Sequence, residues 1–206
     1  MILFQALNLS KHFDGRVIFE NISFEIKGGD ILFVSGKNGS GKTTLLRILS
    51  GFIKPDMGDV KINGKSIFSE YKHHVVFVGH KPGIYKDLTT YENLYLWGKL
   101  WGKILTKSDV IKLLGIFSIE RYIDKSVGKL SQGTQKKIAL TKIFIAEPSI
   151  IILDEPFSNL DDQGQSTLKE YMENFVRYGR ILIFSSPIEC GIPFSLQVKL
   201  DSVEHL

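Results

Sequence analysis

The run "GKNGSGKTT", Gly36 to Thr44, stands directly after the apolar segment "ILFVS" and directly before the helical pattern "TTLLRILSG". It satisfies G-x-x-x-x-G-K-[ST], and in a strand–loop–helix setting that pattern specifies a loop that wraps a phosphate. Glycines let the main chain close around the anion, and successive N–H groups donate to its oxygens. The residues that would line it are Gly36, Lys37, Asn38, Gly39, Ser40, Gly41, Lys42, Thr43 and Thr44. Lys42 would reach the terminal phosphates, and the Thr43 hydroxyl would serve Mg²⁺. Such a loop needs a strand whose carboxyl end feeds a helix, so the feature already demands an α/β core.

The remaining apolar runs agree. "VVFVGH", "SIIILDE" and "RILIFSS" are short, rich in β-branched residues, and each ends in a polar residue. Continuous apolar strands of this sort are covered on both faces, which implies a parallel sheet packed by helices. The amino-terminal third differs: "FENISFEIKGGD" alternates, and Asn63-Gly64 sits between two short strand patterns as a hairpin signal. An antiparallel β layer is therefore expected beside the parallel core. Over residues 89–129 the strand pattern vanishes. "TTYENLYLWGKLWG" opens with a capping box, Thr89 to Glu92, and "SDVIKLLGIF" continues as a second helix. The expected division is a single domain over 1–206, with a core of 1–88 and 130–206 and a helical subdomain at 89–129.

Composition bounds the partners. In 206 residues, 26 Lys and Arg are spread among 22 acids for a net charge of +4, which gives no basic footprint for nucleic acid but suits an anionic membrane surface. One cysteine, Cys190, excludes an internal disulfide framework and fits a reducing compartment; its expected role is packing. The start "MILFQALNLSKHFDG" lacks a basic n-region and a small-residue cleavage site, and no run is long enough to cross a bilayer. A cytoplasmic chain is expected. No metal site is expected at His73 and His74, which have no cysteine beside them.

Two further stretches carry chemistry. "SIIILDEPFSNLDD" delivers Asp154 and Glu155 to the carboxyl end of a buried strand, where Asp154 suits the Mg²⁺ shell and Glu155 suits a base for the attacking water. "KLSQGTQKK", Lys129 to Lys137, is a turn that opens onto a helix, a setting that binds anions. It lies far from the phosphate loop in the chain.

"LSQGT", Leu130 to Thr134, followed by a helix and then by "LDEP", resembles the signature of the ATP-binding-cassette (ABC) ATPases, LSGGQ, with Ser131 and Gly133 kept and Gln132 and Thr134 in place of Gly and Gln. The resemblance runs from "LSKHFDGRVIFENISFEIKGGD" through "LDEPFSNLD". It implies a P-loop cassette with a mainly parallel sheet, an antiparallel β layer and a helical subdomain, and it implies ATP and Mg²⁺ as cofactors. It also implies that Phe13 stacks adenine and that "SNLD", Ser158 to Asp161, is the D-loop. Two cassettes of this family pair head to tail, so Ser131 and Gly133 would close over the nucleotide of a partner. A homodimer is implied, or a heterodimer with a similar subunit, working with integral membrane transporter subunits on the cytoplasmic face of the inner membrane.

Two positions depart from the family pattern. His80 stands where the family has a glutamine that links Mg²⁺ and the attacking water to the helical lobe; a neutral imidazole could take over some of that role, and the alternative is a satisfied polar residue at a strand end. After "RILIFSS" the family expects a histidine at the γ-phosphate; here the slot falls on Ser186 or Pro187. Trp97 and Trp101, with Leu94, form one helical stripe expected to pack in the helical lobe, the alternative being contact with a membrane subunit. Within the family the length, "HKPG" before "LTTYENL", and "LDEPFSNLD" are most similar to the ATPase subunit of the haem exporter of bacterial cytochrome c maturation. The expected function is transport-coupled ATP hydrolysis, with slow intrinsic turnover. The alternative is a regulatory or assembly subunit that clamps on ATP and hydrolyses it little.

Overall fold

The computed structural model describes residues 1–69, 75–187 and 191–200. Their strands form two sheets. In the first, β1 (Leu3–Phe13) pairs antiparallel with β2 (Arg16–Lys27) and β4 (Met57–Ile62), and β5 (Lys65–Ser66) closes the edge, in the order β2-β1-β4-β5. The Asn63-Gly64 hairpin forms as its sequence demands: both residues have positive φ, 51° and 82°, which only a left-handed turn uses.

The second sheet runs β6 (Val75–Val78), β7 (Ile150–Asp154), β8 (Ile181–Ser185), β3 (Ile31–Gly36), β9 (Leu196–Leu200). β3 is parallel to both β8 and β9, and β7 is parallel to β8. All five residues of β7 and of β8 are buried, which is why their sequences carry no alternation. β9 was not expected: "LQVKL" alternates half-exposed and exposed positions, as an edge strand does.

Helix α1 (Lys42–Leu49) joins the layers. Its Leu45, Leu46, Ile48 and Leu49 are fully buried in a core shared with Phe4, Leu9 and Val60 of the first sheet and Leu32, Ile152 and Ile183 of the second. Each such side chain contributes about 1.5–3 kcal/mol on burial.

The described residues fall into two compact units, one of residues 1–77, 149–156 and 172–200, the other of 78–148 and 157–171. The second holds α2 (Thr90–Leu100), α3 (Lys107–Gly115), α4 (Gln132–Ala146) and most of α5 (Asp162–Arg177). α2 has the expected Thr89–Glu92 capping box, and α3 has one of its own between Thr106 and Asp109. Leu94 is fully buried, while Trp97 and the α2 C-cap Trp101 are half-buried and tilt against each other at 6.5 Å. None of the described helices is long and apolar enough to cross a membrane. His73, His74 and Cys190 lie outside the described residues.

Candidate active site

The loop after β3 folds as a cradle. Gly36 has φ 150°, and a Cβ there would meet the Leu200 carbonyl oxygen at 2.4 Å. Gly41, the left-handed N-cap of α1, could take no side chain either, because Ile18 of β2 lies 2.5 Å from where its Cβ would be. The antiparallel layer therefore fixes the shape of the loop. Lys37, Asn38 and Gly39 are exposed along the turn, and the Ser40 N–H bonds the Lys37 carbonyl at 3.1 Å. Lys42 is 5 % exposed, and its ammonium donates to the Gly36 and Lys37 carbonyls at 2.8 and 3.0 Å.

Two observations fit this cradle to a phosphate. The Ser40 hydroxyl is buried with no hydrogen-bond partner among the described residues. The first turn of α1, where Thr43 and Thr44 stand half-buried, has no side-chain cap and no acid. Free N–H groups at a helix opening, beside an unsatisfied hydroxyl, are the donors an anion requires.

Asp154, at the carboxyl end of β7, is fully buried and accepts the Thr43 hydroxyl at 2.7 Å. Its other oxygen accepts from Ser185 at 2.7 Å, and the same Ser185 hydroxyl accepts the Glu155 main-chain N–H at 3.1 Å. Glu155 has φ 46°, a left-handed conformation that a residue before proline rarely adopts. Local strain of this kind persists only where neighbours impose it, and the Ser185 hydroxyl is one such neighbour. Ser185 was not among the expected site residues; its pairing with Asp154 across β7 and β8 is invisible without the register. Ser186, next along, is 6 % exposed, and Pro187 is exposed.

Phe13 ends β1, 45 % exposed, with the Lys11 ammonium 5.2 Å from its ring centre. Asp56 holds that hairpin end: it takes the Lys11 ammonium at 2.6 Å and the His12 N–H at 2.6 Å. The Lys11 hydrogen bond, then that of the His12 main chain, keeps the Asp56 carboxyl below the usual carboxylate range.

The other expected residues, His80, Ser131, Gly133 and Asp161, belong to the second compact unit. His80 is exposed just beyond β6. Ser131 caps α4: its hydroxyl accepts the Thr134 N–H at 3.2 Å and bonds the Thr134 hydroxyl at 2.9 Å. Gly133 is required by packing, since a Cβ there would stand 2.6 Å from the Asn159 carbonyl oxygen. Asp161 takes the ammonium of the largely buried Lys137 at 2.8 Å and the Gly164 N–H at 2.9 Å; the lysine bond, first, keeps its carboxyl below the ordinary range. The helix opened by Ser131 and the 158–161 turn are thus tied together, a link that "LSQGTQKK" and "SNLD" do not reveal separately.

The model of the ABC transporter family matches residues 19–158, a span that begins in β2 and ends just past Glu155. The chain belongs to the ABC transporter family. Relatives of this ABC cassette include the cytochrome c biogenesis ATP-binding export proteins CcmA of Idiomarina loihiensis, 36 % identical over 89 % of this chain and 85 % of the relative, and of Vibrio vulnificus, 33 % identical over 89 % and 91 %. An ABC transporter ATP-binding protein from Pyrococcus furiosus superposes with a TM-score of 0.83 at 25 % identity, covering 96 % of this chain and 97 % of that one. A dimeric bacterial ABC transporter cassette gives 0.86 at 21 % identity over 97 % and 94 %, a likeness of fold. As an ABC ATPase the chain binds and hydrolyses ATP to drive transport.

Proposed function

We propose that this ABC ATPase powers the export step of cytochrome c biogenesis, with haem carried by membrane subunits that are separate chains, and that it works as an ATP-dependent dimer on the cytoplasmic face of the inner membrane. The observation that supports this most is the likeness, over nearly nine-tenths of the chain, to relatives named for that export.

Each residue has a task in this reading. Phe13 stacks the adenine, and Asp56 steadies it by holding Lys11 and His12. The main chain from Gly36 to Thr44, with the Ser40 hydroxyl and the Lys42 ammonium, binds the phosphates; Lys42 exchanges two carbonyls for phosphate oxygens. Thr43 and Asp154 would hold Mg²⁺, since the hydroxyl and the carboxylate already face each other. When bound, that ion offsets charge building on the phosphate oxygens. Glu155 orients the attacking water and accepts its proton on a carboxylate oxygen. His80 serves hydrolysis as a further polar group. Ser131, Gly133 and Asp161 face the nucleotide held by the second cassette, which makes the dimer depend on an intact γ-phosphate.

The test is genetic and biochemical together. Loss of the chain from its own cell should abolish mature c-type cytochromes. The wild-type chain should restore them, Lys42→Ala should not, and membrane subunits should copurify with both. Normal c-type cytochromes without the chain would refute the cytochrome reading while leaving the ATPase standing.

A further inference from the structure

α4 carries ammonium groups on its buried side. Lys142 is 7 % exposed, yet its Nζ donates to the Gly83 carbonyl at 2.6 Å and lies 4.7 Å from the ring centre of Trp97. Six residues earlier on the same helix, Lys136 is also buried, with its Nζ 3.5 Å from the Gly79 carbonyl. From the facing helix, the buried Asn93 takes the Tyr85 N–H at 2.8 Å and returns a donor to the Tyr85 carbonyl at 2.9 Å. The segment from Gly79 to Tyr85, with His80 exposed on it, is thus pinned at three points through its main chain.

We propose that Lys142, assisted by Lys136, is a positioning residue for His80, so that the helix opened by Ser131 and the segment bearing His80 shift as one piece. The inference rests on the reading that His80 serves hydrolysis and Ser131 a partner's nucleotide.

A buried ammonium is unfavourable unless something is gained. Among the described residues, Lys142 meets a carbonyl and an aromatic face, with no carboxylate. Burial pushes its pKa down to about 8, so the charged form is held against its desolvation. For packing alone, methionine would fill the same volume with no such penalty. What methionine cannot do is hold the Gly83 oxygen. A charge-assisted bond of this length fixes a carbonyl that an exposed turn would otherwise leave to water. Because α4 is a single rigid rod of 15 residues, any displacement at its Ser131 end reaches Gly83.

The full-length chain tests this with Lys142→Met, Lys142→Arg, His80→Ala and the double variant Lys142→Met with His80→Ala. Lys142→Met should lower kcat for ATP about 10-fold, because catalytic groups displaced by a fraction of an ångström lose rate steeply. KM for ATP should move less than about twofold, Tm should not fall, and Lys142→Arg should recover most of kcat. The double variant should be no slower than His80→Ala alone. Multiplying losses in the double, or a fall in Tm that accounts for the lost rate, would overturn the proposal. Amide exchange gives an arm independent of turnover. Lys142→Met should speed exchange at residues 79–85, and unchanged protection there would overturn the inference too. Wild-type kcat in His80→Ala with faster exchange at 79–85 would sink only the hydrolytic role of His80 and leave the pinning in place.

Discussion

The Thr43 hydroxyl donates to the Asp154 carboxylate at 2.7 Å, joining the phosphate loop to the end of β7. Ser185 extends the contact, so a hydroxyl from α1, a carboxylate from β7 and a hydroxyl from β8 form one line ending at the Glu155 main chain. The phosphate loop, Asp154 and the Glu155 main chain are therefore held in one frame, a preorganisation of the kind that phosphoryl transfer relies on.

Ser185→Ala tests that frame. It removes one hydrogen bond from a buried carboxylate and one from a main-chain N–H, so unfolding free energy should drop by about 1–3 kcal/mol. Freed of its anchor, Glu155 should leave its left-handed conformation, and kcat should fall more than ATP affinity does. Chemical unfolding and steady-state kinetics measured on one preparation decide. An unchanged kcat would show that Glu155 needs no such anchor.

Glu155→Gln keeps the shape and removes the carboxylate proposed as the base. Turnover should fall by about 10²–10³-fold or more, with ATP affinity retained, and the ATP-bound dimer should accumulate. Phosphate release from both chains at saturating MgATP checks it; equal rates would mean that another group activates the water.

Ser131→Arg should abolish ATP-dependent dimerisation in gel filtration while ATP binding to the monomer persists. The substitution also removes the α4 cap, at about 1 kcal/mol. Ser131→Asn, which can still cap the helix, therefore serves as control and should keep the native Tm. Normal dimers in Ser131→Arg would defeat the role across the interface.

Lys142 sets a pH dependence. Its folded pKa of about 8 lies below the ordinary 10.5, so between those values the unfolded chain holds more protons than the folded one. Stability should therefore rise with pH across that window, and below about pH 8 the contribution is flat. Relative to Lys142→Met, the wild type should gain about 1.5 kcal/mol from pH 8 to about 9.5. Urea midpoints for the two chains at both pH values give the number, and parallel curves would contradict it.

What the sequence reveals follows from what each feature depends on. The phosphate loop, the Thr89 capping box and the Asn63-Gly64 hairpin are local, governed by φ values and neighbours a few residues away, and all three are legible. β9 and Ser185 depend on which strands lie side by side. "LQVKL" looks like a tail until β3 is beside it, and Ser185 looks like one of two serines until it meets Asp154 across the sheet. Nothing local in the sequence marks Lys137 and Lys142 for burial, since basic residues seldom lie inside; only the packed helix shows them buried.

The approach of Asn159 to Gly133 bears on how variants of this chain should be interpreted. Any side chain at 133 pushes on the turn that carries Asp161, so a defect there cannot be credited to the neighbouring cassette alone. In a mixed dimer of one altered and one native chain, a Gly133→Ala lesion should show at both nucleotide sites, whereas a lesion at the exposed end of the signature should show at one. The number of impaired sites per dimer then tells which kind of fault a given allele carries.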